Sequence, residues 1–333
     1  MRYSNVCIEA VAGEIPKQVV TSKSIEEQLK PVYEQFKIPV GSLEHLTGIR
    51  ERRFWENGVF PSHASVWAAE KALQQTGINP DLIGCVFHCG NSRDFLEPAT
   101  AVAVHQRLKL SSRAMVLDIS NAHLGFMNGV LTAANLIELG QTQAALIVSS
   151  ETCRETVESQ VEGLIKNPSM DRYYSTFPTL TFGDGSVAML LTHRKISRTG
   201  HQLVGGTVHC SGSQTLFSHL RGNQIPQFFQ KRLRLLKEVW QHFMSLINWT
   251  PEIIQKTFHQ IIDPKGRFLQ LLNLNTSQNF SVTEQLGNLR SLGAPMALVK
   301  GLEQQQCLDK GDCFALLGLG FDLDCLMLGA VWN

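Results

Sequence analysis

Apolar positions along the chain alternate between helical and strand-like spacing. Over Ser65–Gly77, Val66, Ala69 and Leu73 fall on one helical face and Gly77 closes the run, which predicts a helix. Leu82–Cys89, Ala114–Ile119 and Ala144–Val148 are short apolar runs that predict buried strands. Leu124–Leu139, rich in Ala and Leu and closed by Gly140, predicts a helix between the last two. Strand, helix and strand with short connections make a βαβ unit. Asn167–Pro178 reads as loop, with Tyr173 and Tyr174 paired and two prolines. A glycine turn at Thr181–Ser186 follows and leads into the strand Val187–Leu191. The second half repeats the logic. Leu203–Val208, Thr257–Ile262, Phe314–Leu319 and Leu326–Trp332 predict strands, and Gln227–Ile247 and Leu292–Gln304 predict helices. A tight turn around Asp322 joins the last two strands. This alternation predicts a layered α/β protein. It divides into two similar halves, residues 1–195 and 196–333, with the basic stretch His193–Arg198 at the join.

Composition narrows the function classes. A net charge of +1 lacks the surplus of Lys and Arg on which general nucleic-acid binding rests, and equally argues against a polybasic membrane-surface protein. The 333 residues suffice to bury a large core without disulfide staples. The eight cysteines form no C-x-x-C pair and no zinc-ligand spacing, so neither a metal site nor a disulfide framework is expected. Their strand-like settings suit small buried hydrophobes in a reducing, cytoplasmic protein. No signal-peptide pattern opens the chain, and no apolar run has the length of a membrane span.

Candidate chemistry gathers in a few segments. Asp118–Phe126 is a strand end, a sharp turn and a helix start, with His123 at the elbow. Free N–H groups and the dipole of a helix start favour negative charge, so a histidine there is held towards neutrality. The same histidine also suits a helix cap or a packed side chain. His259 stands near a strand end, where a structural role and a catalytic one are both open. Asn288 precedes a helix, as an N-cap does, yet a His and an Asn reaching one cleft would make an oxyanion hole. Gly90–Pro98 follows a strand's carboxyl end, where α/β proteins bind ligands; Glu97 there would serve as a general base or, with Arg93 and Asp94, in surface ion pairs. Gly318–Asp322, with Gly320, Phe321 and Asp322, is either a ligand-approach segment or a plain turn. Lys231–Lys237 reads as the solvated face of an amphipathic helix, with the phosphates of coenzyme A or an acidic carrier protein as the alternative contact.

The motifs occur in an order that resembles the thiolase superfamily. Thr47–Arg53, read TGIRERR, resembles the N-terminal motif of ketoacyl-ACP synthase III. SNAHLGF resembles that family's nucleophile elbow, with His123 where the family has cysteine, and FGDGS resembles its glycine turn. RDFLEPATA and CLMLGAVW resemble segments of the OleA-type thiolases, which join two fatty acyl-CoA molecules head to head. The resemblance implies a five-layer αβαβα thiolase fold of two similar halves and a homodimer. It implies a Claisen condensation of fatty acyl-CoA or acyl-carrier-protein thioesters with no resident cofactor. It places the nucleophile position on His123, the oxyanion-stabilising pair on His259 and Asn288, and the base on Glu97, reaching in from the other subunit. Gly320, Phe321 and Asp322 fall in the segment bordering the nucleophile, where a carboxylate would oppose a forming oxyanion. Three functions remain open on these residues: a condensing acyltransferase, a thioester hydrolase or decarboxylase, and a non-catalytic subunit that pairs with a Cys-bearing paralogue.

Overall fold

The computed structural model describes residues 1–210, 224–263, 266–304, 307–320 and 324–333, with the backbone alone described over 224–229. The strands are β1 (Val6–Glu14), β2 (Gln18–Thr21), β3 (Glu51–Phe54), β4 (Ile83–Cys89), β5 (Met115–Ile119) and β6 (Ala144–Glu151). They continue as β7 (Gly185–His193), β8 (Gln202–Cys210), β9 (Ile254–His259), β10 (Asn279–Ser281), β11 (Cys313–Leu319) and β12 (Asp324–Val331). Ten of them form a sheet ordered β10-β9-β11-β12-β8-β1-β7-β6-β4-β5, while β2 pairs with β3 apart from it.

One topology occurs twice in this sheet. The runs β1-β7-β6-β4-β5 and β8-β12-β11-β9-β10 each place their own strands in the order first, fifth, fourth, second, third. In both, the fifth strand is antiparallel to its two neighbours and the remaining pairs are parallel. The runs meet at Cys7 opposite Gln202.

Side-chain alternation divides each strand between two helical layers. In β4, Phe87 and Cys89 face a central layer and Val86 faces an outer one. β1 carries a bulge between Ile8 and Ala10, so Val6, Ile8 and Val11 all face the centre despite the odd spacing of the last. The central layer is the pair of helices Gly125–Glu138 and Gly293–Glu303, whose Phe126, Val130, Met296 and Val299 pack with side chains of both runs. Pro61–Gln74 and Thr100–Arg107 cover the outside of the first run through Val66, Ala69 and Val104. Gln224–Ile247 and Arg267–Leu271 cover the outside of the second through Leu236, Phe243 and Phe268. Helix, sheet, helix, sheet, helix is the five-layer thiolase arrangement.

Some local expectations change. Asn167–Pro178 is not all loop: Met170–Thr176 is a helix, capped by Ser169 Oγ accepting the Arg172 N–H at 3.1 Å. The strand expected at Thr257–Ile262 is Ile254–His259, because the Ile261 N–H turns back to His259 Nδ1 at 2.9 Å. β2, β3 and β10 are too short to show a period. The turn expected around Asp322 lies outside the described residues. Among the described residues no helix is long and apolar enough to cross a membrane.

Candidate functional site

β5 ends at Ile119, one turn spans Ala122–Leu124, and the central helix starts at Gly125. Ala122 has φ 37°, in the left-handed region that L-residues rarely enter. The Leu124 N–H closes the turn on Asn121 O at 2.7 Å. Gly125 allows the helix to press on the end of β4; a Cβ there would lie 3.2 Å from Gly90 N. This elbow carries His123 into a cavity of about 290 Å³. Leu46, Phe177, Leu233, Ile262 and Leu319 give the cavity an apolar wall, and Thr181, Gln260, Arg232 and Asn288 give it polar groups.

Asn288 is positioned by three separate stretches of sequence. Its backbone N–H donates to Thr181 O at 2.7 Å, and its carbonyl accepts the Gly183 N–H at 3.1 Å. Its side-chain Nδ2 donates to Thr181 Oγ1 at 3.3 Å, and Oδ1 accepts the Arg290 N–H at 3.0 Å. The two backbones touch: a Cβ at Gly183 would stand 2.1 Å from Leu286 O. The TGIRERR stretch braces this crossing. Arg52, fully buried, donates to Leu180 O at 3.0 Å and to Ser22 Oγ at 3.1 Å, and burial pushes its pKa down to about 10. Asp184 of the glycine turn accepts N–H bonds from Cys153 at 2.5 Å and Trp55 at 3.0 Å. Burial nonetheless raises its pKa to about 7.

Both ring nitrogens of His123 are buried. Burial, then the positive charges of Arg232 and Arg290, lower its pKa to about 3 against a hydrogen bond with Asn288. The imidazole is therefore neutral at physiological pH. His123 and Asn288 both line the cavity. His259 does not join them. Its Nδ1 accepts the Ile261 N–H, its Nε2 donates to Asn279 Oδ1, and its ring meets Phe268 edge-on at 4.5 Å. Burial lowers its pKa to about 4. The next residue, Gln260, lines the cavity instead and donates to Asn288 Oδ1. Successive side chains of an extended segment point to opposite faces, so a one-residue difference decides which of the two meets the cavity.

Glu97 stands exposed in the loop after β4 and does not line the cavity of its own chain. Among the described residues Arg93, Asp94 and Glu97 form none of the ion pairs considered for this loop, and Asp94 accepts the Ser62 N–H at 2.8 Å. The Gly320 N–H, one residue past β11, donates to Asp324 O at 2.8 Å. Gly318 packs on the elbow, where a Cβ would come within 2.5 Å of Leu124 Cδ2. Phe321 and Asp322 lie outside the described residues. The network behind Asn288, centred on Glu151 and Arg290, gave no sequence signal, because Glu151 ends a buried strand that reads AALIVSSE.

A doubled αβαβα fold with an elbow histidine and a glycine-braced asparagine over one cavity defines a thiolase-fold protein of the ketoacyl synthase III kind. A family model for 3-oxoacyl-[acyl-carrier-protein] synthase III matches residues 117–212, which span the elbow and the glycine turn. The chain belongs to the family of the acyl-CoA:acyl-CoA alkyltransferases. It is 34% identical to the one from Shewanella oneidensis and 31% identical to the one from Xanthomonas campestris, over 100% of each chain. A crystal structure of Xanthomonas campestris OleA superposes with a TM-score of 0.92 at 28% identity over 100% of both chains. That of 3-oxoacyl-(acyl carrier protein) synthase III from Xanthomonas oryzae pv. oryzae does so with 0.92 at 27%, also over 100% of both. The membership places the chain among the OleA-like relatives of ketoacyl synthase III, a family of acyl-CoA condensing enzymes.

Proposed function

We propose that the protein binds fatty acyl thioesters, delivered by coenzyme A or an acyl carrier protein, and condenses two of them with His123 in the nucleophile position. The convergence of a neutral imidazole and the Asn288 amide on one largely apolar cavity carries this reading. A neutral imidazole nitrogen attacks the first thioester carbonyl, and Asn288 Nδ2 donates to the oxyanion as it forms. The C–S bond breaks, the proton on the other ring nitrogen passes to the departing thiolate, and an acyl-imidazole remains. Glu97 then takes a proton from the α-carbon of the second thioester. The carbanion attacks the acyl carbon, a C–C bond forms as the acyl C–N bond to His123 breaks, and the departing imidazolate takes the proton held by Glu97, so both residues return to their starting states.

Glu97 enters this scheme from a second copy of the chain. β5 is an edge strand whose Met115 and Leu117 are exposed, and the neighbouring loop exposes Phe95 and Leu96. An apolar exposed edge favours pairing with another chain, and a homodimer would carry Glu97 towards the partner's cavity.

Intact-mass measurement after mixing with long-chain acyl-CoA tests the covalent step, with product analysis alongside. The expected result is an acyl adduct on the wild type, absent from His123→Ala, together with a condensed product. Free coenzyme A without C–C bond formation would instead mark a hydrolase. Neither adduct nor product, in a protein that associates with a Cys-bearing paralogue, would mark a non-catalytic subunit.

A further inference from the structure

The loop bearing Glu97 and the Asn288 corner approach the same buried carboxylate from opposite sides. Glu151, at the end of β6, has no solvent exposure and accepts from both. From the loop come the Asn91 N–H at 3.3 Å and Ser92 Oγ at 2.8 Å. From the other side come Ser291 Oγ at 2.8 Å and the Arg290 guanidinium at 3.2 Å. Arg290 also donates its backbone N–H to Asn288 Oδ1. The packing leaves little slack: a Cβ at Gly90 would stand 3.0 Å from Glu151 Oε1 and 3.2 Å from Ser291 Oγ. Arg290 holds a left-handed backbone, φ 55°, a cost its surroundings must over-determine. Its guanidinium does so by pairing with Glu151 while lying 5.1 Å over the Phe182 ring.

We propose that Glu151, with Arg290, is a positioning pair that ties the Glu97 loop to the Asn288 corner, so that the two sites of charge transfer are set together. A buried carboxylate with four donors from two segments cannot shift towards one without loosening its bonds to the other. Neither residue touches substrate in this arrangement; they act through Asn91, Ser92 and Asn288. The assignment of roles to Glu97 and Asn288 rests on the function proposed above, whereas the mechanical tie does not.

The test pairs hydrogen exchange with kinetics in the full-length protein. Ser92→Ala removes only the loop's side-chain contact. It is expected to raise amide exchange about tenfold both in residues 90–98 and, through Glu151, in residues 286–292, with β7 unchanged. The same variant should lower kcat for acyl-CoA condensation about tenfold at constant KM. Combining it with Ser291→Ala should cost less than the product of the two single effects. Glu151→Gln should loosen both segments. If the uncompensated Arg290 prevents its folding, Glu151→Gln with Arg290→Gln removes both charges and is read the same way. Loosening confined to residues 90–98, or multiplicative kinetic effects, would overturn the pairing. A wild type without turnover sinks the proposed function, and the exchange data still decide the tie.

Discussion

Two turns of the same build enter the two central helices. Ala122–Leu124 leads into Gly125–Glu138, and Arg290–Leu292 leads into Gly293–Glu303. Each begins on a non-glycine residue with left-handed backbone, Ala122 at φ 37° and Arg290 at φ 55°. His123 and Ser291 occupy the same middle position. The first turn directs its middle residue into the cavity, while the second directs it inward to Glu151 and to Ser149 Oγ at 3.0 Å. Repetition of the topology supplied the same backbone device twice. What lies beneath each turn, open space or a buried carboxylate, separates a reactive site from a strut.

The contrast breaks first under Arg290→Gly. Glycine suits the backbone but leaves Glu151 buried without its cation, and unfolding in denaturant is expected to show a loss of about 3–5 kcal/mol. Ala122→Gly at the matching position is expected to stay within about 0.5 kcal/mol, since no buried charge depends on that side chain. Comparable losses in the two would erase the distinction. Asn288→Ala comes next. It removes the proposed oxyanion donor, and steady-state assay should show kcat for acyl-thioester turnover falling about 10²–10³-fold; an unchanged kcat would place the donor elsewhere. Ser291→Ala should cost about 1–2 kcal/mol of stability through the unsatisfied carboxylate.

The pH dependence of His123 probes the enclosure of its ring. Its folded pKa, about 3, lies below the unfolded value near 6.5. Its contribution to stability is therefore complete above the unfolded pKa and is lost as pH falls towards 3. Denaturation midpoints of wild type and His123→Asn should converge between about pH 6.5 and 3. An imidazole NMR titration near pH 6.5 would contradict the enclosed, neutral ring.

Much of this was legible in the sequence, for identifiable reasons. The elbow at His123 shows because a strand, a polar turn and a glycine-started helix leave a local signature. The large strands show because β4, β6 and β7 are buried on both faces and read as continuous apolar runs. His259 was drawn to the cavity by resemblance, but the choice between it and Gln260 depends on where β9 stops, which no local pattern marks. Glu151 was silent for a different reason. Its four partners come from residues 91, 92, 290 and 291, and only folding brings them together. The Met170–Thr176 helix was masked by flanking prolines and paired tyrosines.

Glu97 stands outside the cavity of its own chain, and under the proposed function this would make enzyme concentration a kinetic variable. Were the base supplied by a second copy, as proposed, specific activity would fall on dilution below the dimer's dissociation constant, as mass action removes the base from the cavity. Mixed dimers would then separate the two lesions: a subunit lacking His123 and a subunit lacking Glu97 would share one intact cavity between them.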